Sequence, residues 1–226
     1  MINFYNIVIE MKKILTLSLV LSFCLGSFSA NKHKIPFYLR KAVWTSKIEK
    51  VTQAILNGFH LNVVDEDGKT LLMYVVMHTK INIVKFLLNA GANTNIQAED
   101  GWTALNWSIG FFNVRIMKIL LRAGIKLNTR DETKRTPIFK AVCENKIIAL
   151  KLLIKAGAKI NIRDLNGETP LMWAAAMGHK KAVKLLIRSG AKVNLKDFLG
   201  SRALGKAITG KHRAVIKILR KYGARE

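Results

Sequence analysis

The side chains that could carry catalysis or hold a metal are few and scattered. His33, His60, His78, His179 and His212 show no metal-ligand spacing among themselves. Cys143 has no nearby Cys or His with which to form a metal site or a nucleophile–base pair. The paired acids Asp65 and Asp67 fall in a polar, turn-like stretch, without the apolar surroundings that make a general acid. No Gly-rich phosphate loop and no Gly-x-Ser-x-Gly elbow is present. The expectation is a protein without catalytic residues, cofactor or metal, one that binds and does not catalyse.

The glycines are spaced by a repeat and not by a ligand. Gly58, Gly91, Gly124, Gly157, Gly190 and Gly223 follow one another at intervals of 33 residues. Asn62, Asn95, Asn128, Asn161 and Asn194 keep the same interval four residues later. Two registers of one period identify a repeat array, whose units bury their apolar faces against each other.

Each unit has the same internal grammar. Asp65, Asp131, Asp164 and Asp197 open four-residue stretches, and Gly68, Gly101, Gly167 and Gly200 close them, as suits a type I turn. Thr70, Thr103, Thr136 and Thr169 follow at an N-cap position, where a hydroxyl can accept from free amides. Pro137 and Pro170 occupy the first helical position, where a missing N–H costs nothing. In the fourth such copy Leu171, Ala174 and Ala175 mark the apolar face of a short first helix. After Met177-Gly178-His179, a second helix carries Val183, Leu186 and Ile187 on one side, with Lys184 and Arg188 on the other. Gly190 then ends it in the left-handed conformation.

In these residues the chain resembles the ankyrin repeat family. The resemblance rests on Glu168-Thr-Pro-Leu-Met-Trp-Ala-Ala-Ala-Met-Gly-His179 and on Val183-Lys-Leu-Leu-Ile-Arg-Ser-Gly-Ala-Lys-Val-Asn194, with weaker copies at Arg135–Ala141 and Lys69–Met73. It covers nearly everything from Phe37 to the end. It implies an all-α fold, an ankyrin-repeat solenoid of stacked helix-turn-helix units with β-turn fingers. There are departures. The His that usually follows Thr-Pro-Leu is Met73, Asn106, Phe139, Met172 or Gly205 here. Lys134 stands where a turn glycine belongs, costing about 1 kcal/mol if φ is positive there. Arg202 replaces the capping Thr of the last copy. The first copy, Tyr38–Asn62, lacks the Thr-Pro signature but keeps Ala42, Val51, Ile55, Leu56 and Gly58, as an N-terminal cap would.

The 226 residues divide into a leader, 1–30, and an array of about six units, 31–226, with atypical caps at both ends. Lys12 and Lys13 precede an apolar run, Ile14–Gly26, that is shorter than the roughly 20 residues needed to span a bilayer. Ser27-Phe28-Ser29 fits cleavage after Ser29, with Ala30 the alternative, and Met11 is an alternative start. The expected address is export to the periplasm or beyond from a bacterium, the alternative being an anchor formed by an uncleaved leader. Beyond the leader only Cys143 remains, so no internal disulfide can form in the mature chain.

The net charge is +24, from 38 basic and 14 acidic residues. Part of it is ordered. Lys85, Lys118, Lys151, Lys184 and Lys217 share one register of successive second helices, and Arg122, Lys155, Arg188 and Lys221 lie one turn further on. Stacking turns these into two basic ladders. A solvated face is the favoured reading, and attraction to an anionic surface or polymer (membrane, cell wall or nucleic acid) is the alternative.

The resemblance places partner contacts on the finger tips and the exposed side of the first helices. By position these hold Trp102, Phe111, Arg130, Arg135, Arg163, Leu165, Met177, Phe198 and Leu199 as candidate partner-binding residues. Acid gathers on the early fingers, at Glu66, Asp67, Glu99 and Glu132, and base on the later ones. Trp102 and Phe198 are expected to meet a partner, whereas Trp107 and Trp173, inside first helices, pack at least as readily against neighbouring units. The expected function is a non-catalytic protein–protein interaction module (scaffold, inhibitor or secreted factor), monomeric, gripping a protein partner through finger tips and concave helix face.

Overall fold

A computed structural model describes residues 35–225. The leader, its cleavage site and the alternative start lie outside the described residues.

Among the described residues twelve helices follow one another in pairs, one pair to each of six units. They are α1 Phe37–Trp44 and α2 Ile48–Leu56, α3 Leu71–Met77 and α4 Ile81–Asn89, α5 Ala104–Gly110 and α6 Val114–Arg122, α7 Pro137–Cys143 and α8 Ile147–Lys155, α9 Pro170–Ala176 and α10 Lys180–Arg188, α11 Ala203–Thr209 and α12 Arg213–Lys221. First helices pack on first helices of the next unit, and from α4 onward second helices pack in the same way on second helices. The result is two parallel helical layers, the all-α solenoid that the sequence predicts. Each unit supplies a thin slice of core. In the fifth unit Leu171, Ala174 and Ala175 meet Ala182, Val183 and Leu186, all buried. Short Ala side chains let the layers close, and the burial is shared between neighbours, as a solenoid requires.

The six repeat glycines lie just beyond the second helices, all at positive φ. At Gly58 the closure is complete: its N–H reaches the Ile55 carbonyl and the Phe59 N–H reaches that of Ala54. The first helices end in the same left-handed conformation, but there only Gly178 is a glycine. Ser46, Thr79, Phe112, Asn145 and Lys211 adopt it with φ between 49° and 59°. Lys134 does so in its finger, at φ 58°, so the expected strain is real.

The fingers that open with an aspartate are tight turns closed on that residue, whereas the finger that opens at Ala98 lacks this brace. Asp164 Oδ1 accepts from the amides of Asn166 at 3.0 Å and Glu168 at 2.9 Å, and Asp65, Asp131 and Asp197 brace their turns in the same way. Asp65 is thus a structural brace and not an exposed acid of the tip. Thr70 and Thr169 cap α3 and α9 by accepting from Met73 and Met172 amides at 3.3 Å. One expectation needs correcting. The Thr136 hydroxyl is buried without a partner and does not cap α7. Leu56 is exposed, because it occupies the outward register that Arg122 and Arg188 fill in later units.

The repeat asparagines join the units. Asn62, Asn95, Asn128, Asn161 and Asn194 each accept, through Oδ1, a backbone N–H 31 residues ahead, at 2.7–2.9 Å. Where the family's usual His is absent, Met73 and Phe139 simply fill the core. Asn106 instead accepts from the N-cap amide and hydroxyl of Thr103, at 3.2 and 2.9 Å. His179 and His212 approach the last carbonyls of the preceding first helices, those of Cys143 at 3.3 Å and Ala176 at 2.8 Å, a structural role.

Candidate partner-binding surface

The candidate residues separate into two groups. The first is engaged within the array. Arg130 Nη1 donates to the Arg163 carbonyl at 3.3 Å, and Arg163 Nη1 to the Lys196 carbonyl at 2.6 Å and the Gly167 carbonyl at 3.0 Å. Gln97 does the same one unit earlier, on the carbonyls of Gly101 and Arg130. These long side chains clasp each finger to the next. Arg135 lies over the Trp173 ring, 4.0 Å from its centroid, and its Nε is 3.4 Å from Asp164 Oδ2. Trp102, expected to reach outward, is half-buried. Its ring meets Trp107 edge-on at 4.9 Å, and the Lys140 ammonium sits 3.7 Å from its centroid.

The second group is open. Phe111 and Met177 are exposed just after α5 and α9, at matching ends of first helices. Leu165, Phe198 and Leu199 stand exposed on the last two fingers, Phe198 at 72 % and Leu199 at 89 %. Phe198 is held in place by its surroundings. Its N–H donates to the Asn166 carbonyl at 3.1 Å, and its ring lies where a Cβ on Gly167 would fall, 2.7 Å from Cδ1. Any larger residue at 167 would displace the ring. Leu165 and Phe198 are one period apart, in the register that holds Glu66, Glu99 and Glu132 on the earlier fingers. The row of tips therefore runs from acidic to apolar along the stack.

Beneath the tips lies a polar seam. Tyr74 donates to Asp65 at 2.5 Å, Trp173 Nε1 to Asp164 at 2.9 Å, and Lys206 is paired with Asp197 at 2.8 Å and with Glu168. Burial and the hydrogen bond to Asp65 together push the Tyr74 hydroxyl above its usual range. Burial opposes ionisation of Asp197, but the Lys206 ammonium and the amides of Ser201 and Leu199 outweigh it and hold the carboxyl below its usual range. Spacing could have revealed this seam, since each partner lies nine residues beyond its aspartate.

Among the described residues no group of His, Cys, Asp and Glu could hold a metal, and no helix is long and apolar enough to cross a membrane. Cys143 is half-buried, and burial raises its thiol above the usual range, which suppresses the thiolate.

The nine expected ladder cations, Lys85, Lys118, Lys151, Lys184, Lys217, Arg122, Lys155, Arg188 and Lys221, are all exposed on the second helices. A third ladder, missed in the sequence although its period was plain, comprises Lys126, Lys159, Lys192 and Arg225.

A family model for ankyrin repeats (3 copies) matches residues 39–131, 113–197 and 138–225. No curated protein matches the sequence.

Proposed function

The chain belongs to the ankyrin repeat family, and from that premise we propose that it captures a protein partner with its last two fingers, without catalysis. Ankyrin repeats are generally protein–protein interaction modules. The observation that carries the reading is the exposed trio Leu165, Phe198 and Leu199, set on turns that are otherwise rigidly braced. Large apolar groups held out of the core by a stiff scaffold lose little entropy on binding, and aromatic anchors dominate interface energies. The partner's complementary surface is an apolar pocket for Phe198, with basic groups further along the row that meet Glu99 and Glu132. Phe111 and Met177, on the first-helix side, extend the contact.

The test compares capture by the chain from Asn31 onward with capture by Phe198→Ala/Leu199→Ala, followed by mass spectrometry. Loss of a specific protein in the double variant is expected, with a drop of at least 100-fold in affinity if Phe198 is an anchor worth about 3 kcal/mol. A partner held equally by both proteins refutes the finger reading.

We further propose that the protein is exported by its bacterial cell, on the strength of Lys12-Lys13, the apolar run Ile14–Gly26 and the small residues that follow. N-terminal sequencing of the cell-derived protein is expected to begin at Ala30 or Asn31. A chain beginning at Met1 or Met11 rules out cleavage and leaves the anchored form.

A further inference from the structure

Charge is segregated between the two helical layers. After Glu49 no second helix carries a carboxylate, and the acids from Asp65 to Asp197 lie in the fingers or, for Glu144, at the end of α7. Each of the last four units, by contrast, presents three exposed cations in line, three in each of four and so twelve in all. They begin with Lys118, Arg122 and Lys126 and end with Lys217, Lys221 and Arg225. None is paired with a carboxylate among the described residues. A face that served only solubility would intersperse the signs, whereas here like charges stand at i, i+4 on every one of these helices, an arrangement that destabilises a helix.

Between α10 and α12 these cations line an open groove of about 320 Å³, where Lys184, Arg188, Lys217 and Lys221 meet Ile218 and Tyr222. Two apolar side chains stand out among the lysines. Ile148 is 49 % exposed, in line with Lys151 and Lys155 on α8, and Tyr222 is 41 % exposed beside Lys221.

We infer that this face docks on an anionic phospholipid bilayer, its cations meeting headgroup phosphates and Ile148 and Tyr222 entering the headgroup layer. The dimensions favour a surface over a rod. Cations repeat about every 6 Å along each helix and about every 8–10 Å across the stack, a two-dimensional grid that a plane of phosphates can occupy whole. A duplex would meet only one or two rows. Aromatic and aliphatic groups among cations suit the interface, where a ring is partly dehydrated. The reading is independent of the fingers, which lie away from this layer.

The experiment uses the full chain in vesicle co-sedimentation. One set of vesicles is phosphatidylcholine alone, the other phosphatidylcholine with a third phosphatidylglycerol. Binding is expected only to the anionic vesicles and is expected to weaken steeply with salt. Lys151→Gln/Lys184→Gln/Lys217→Gln is expected to lose about 100-fold in affinity, roughly fivefold per lysine, with an unchanged melting curve. Phe198→Ala is expected to bind vesicles as the parent does, which separates this site from partner capture. Equal binding to both vesicle types, an undiminished triple variant, or tighter binding to duplex DNA than to anionic vesicles at the same salt overturns the inference.

Discussion

The indole N–H of Trp173 donates to Asp164 Oδ2 at 2.9 Å, while that of Trp107, two units earlier in the same register, is buried without an acceptor. Two residues differ. Position 98, which corresponds to Asp164, is alanine, and Lys69, the counterpart of Arg135, is paired with Asp67 instead. An unsatisfied buried donor costs about 1–3 kcal/mol.

Ala98→Asp is therefore expected to stabilise the array by about 1 kcal/mol, since the new carboxylate gains Trp107 Nε1 and the Lys69 ammonium as partners. The converse, Asp164→Ala, strips two turn amides and the Trp173 indole of their acceptor. It is expected to cost about 2–4 kcal/mol. Urea unfolding followed by circular dichroism checks both signs.

The asparagine ladder predicts a loss of coupling. Asn128 Oδ1 accepts from the Lys159 amide at 2.9 Å, and this bond joins the third unit to the fourth. Asn128→Ala is expected to cost about 1 kcal/mol. Because stability in such an array depends on nearest-neighbour interfaces, the unfolding transition should also broaden as the two halves begin to melt separately. An unchanged slope with a shifted midpoint would mean that the helical layers alone provide the coupling.

Positive φ at non-glycine positions offers stability that the natural chain forgoes. Thr79, at φ 56°, is exposed and β-branched, and Lys134, at φ 58°, sits in a finger whose counterparts are glycines. Thr79→Gly and Lys134→Gly are each expected to raise stability by about 0.5–1 kcal/mol, the relief of left-handed strain exceeding the added freedom of the unfolded chain. Thermal melts of the two single variants and their combination check this, and the effects should add because the sites are distant.

The Asp197–Lys206 pair predicts a pH dependence. The Asp197 carboxyl is held below its ordinary value of 3.8 when folded, so its contribution is complete above that value and is lost as pH falls through the lower, folded one. The Lys206 ammonium is pushed up: burial opposes its charge, but Asp197 and Glu168 outweigh burial, and its contribution is lost only as pH rises through a value above 10.5. Asp197→Asn should accordingly be less stable than the parent at neutral pH. The gap should begin to shrink below about pH 4, where the carboxyl of the unfolded chain takes up its proton, and should close as the folded carboxyl follows at lower pH. Denaturant midpoints from pH 2.5 to 7 measure it; a gap independent of pH would mean that the turn amides alone define the role of Asp197.

The sequence by itself determined the unit, its two helices, its finger and the order of the stack, because those signals are local. A glycine at a helix end, a proline at the first helical position and an aspartate at the head of a turn act on atoms within a few residues. It also contained the period that places cations on one layer. What only the tertiary structure decided is which side chains remain available. Trp102, Arg130, Arg135 and Arg163 read as surface groups along the chain, yet their partners come from other units, as do the carbonyls of Arg163 and Lys196 that lie 33 residues ahead of the arginines that bind them. The asparagines behave likewise: their period was visible, but the amides they hold lie 31 residues on. Such contacts depend on how far one unit is translated against the next. That translation is set by packing of the whole helical layers, a property that no single unit possesses.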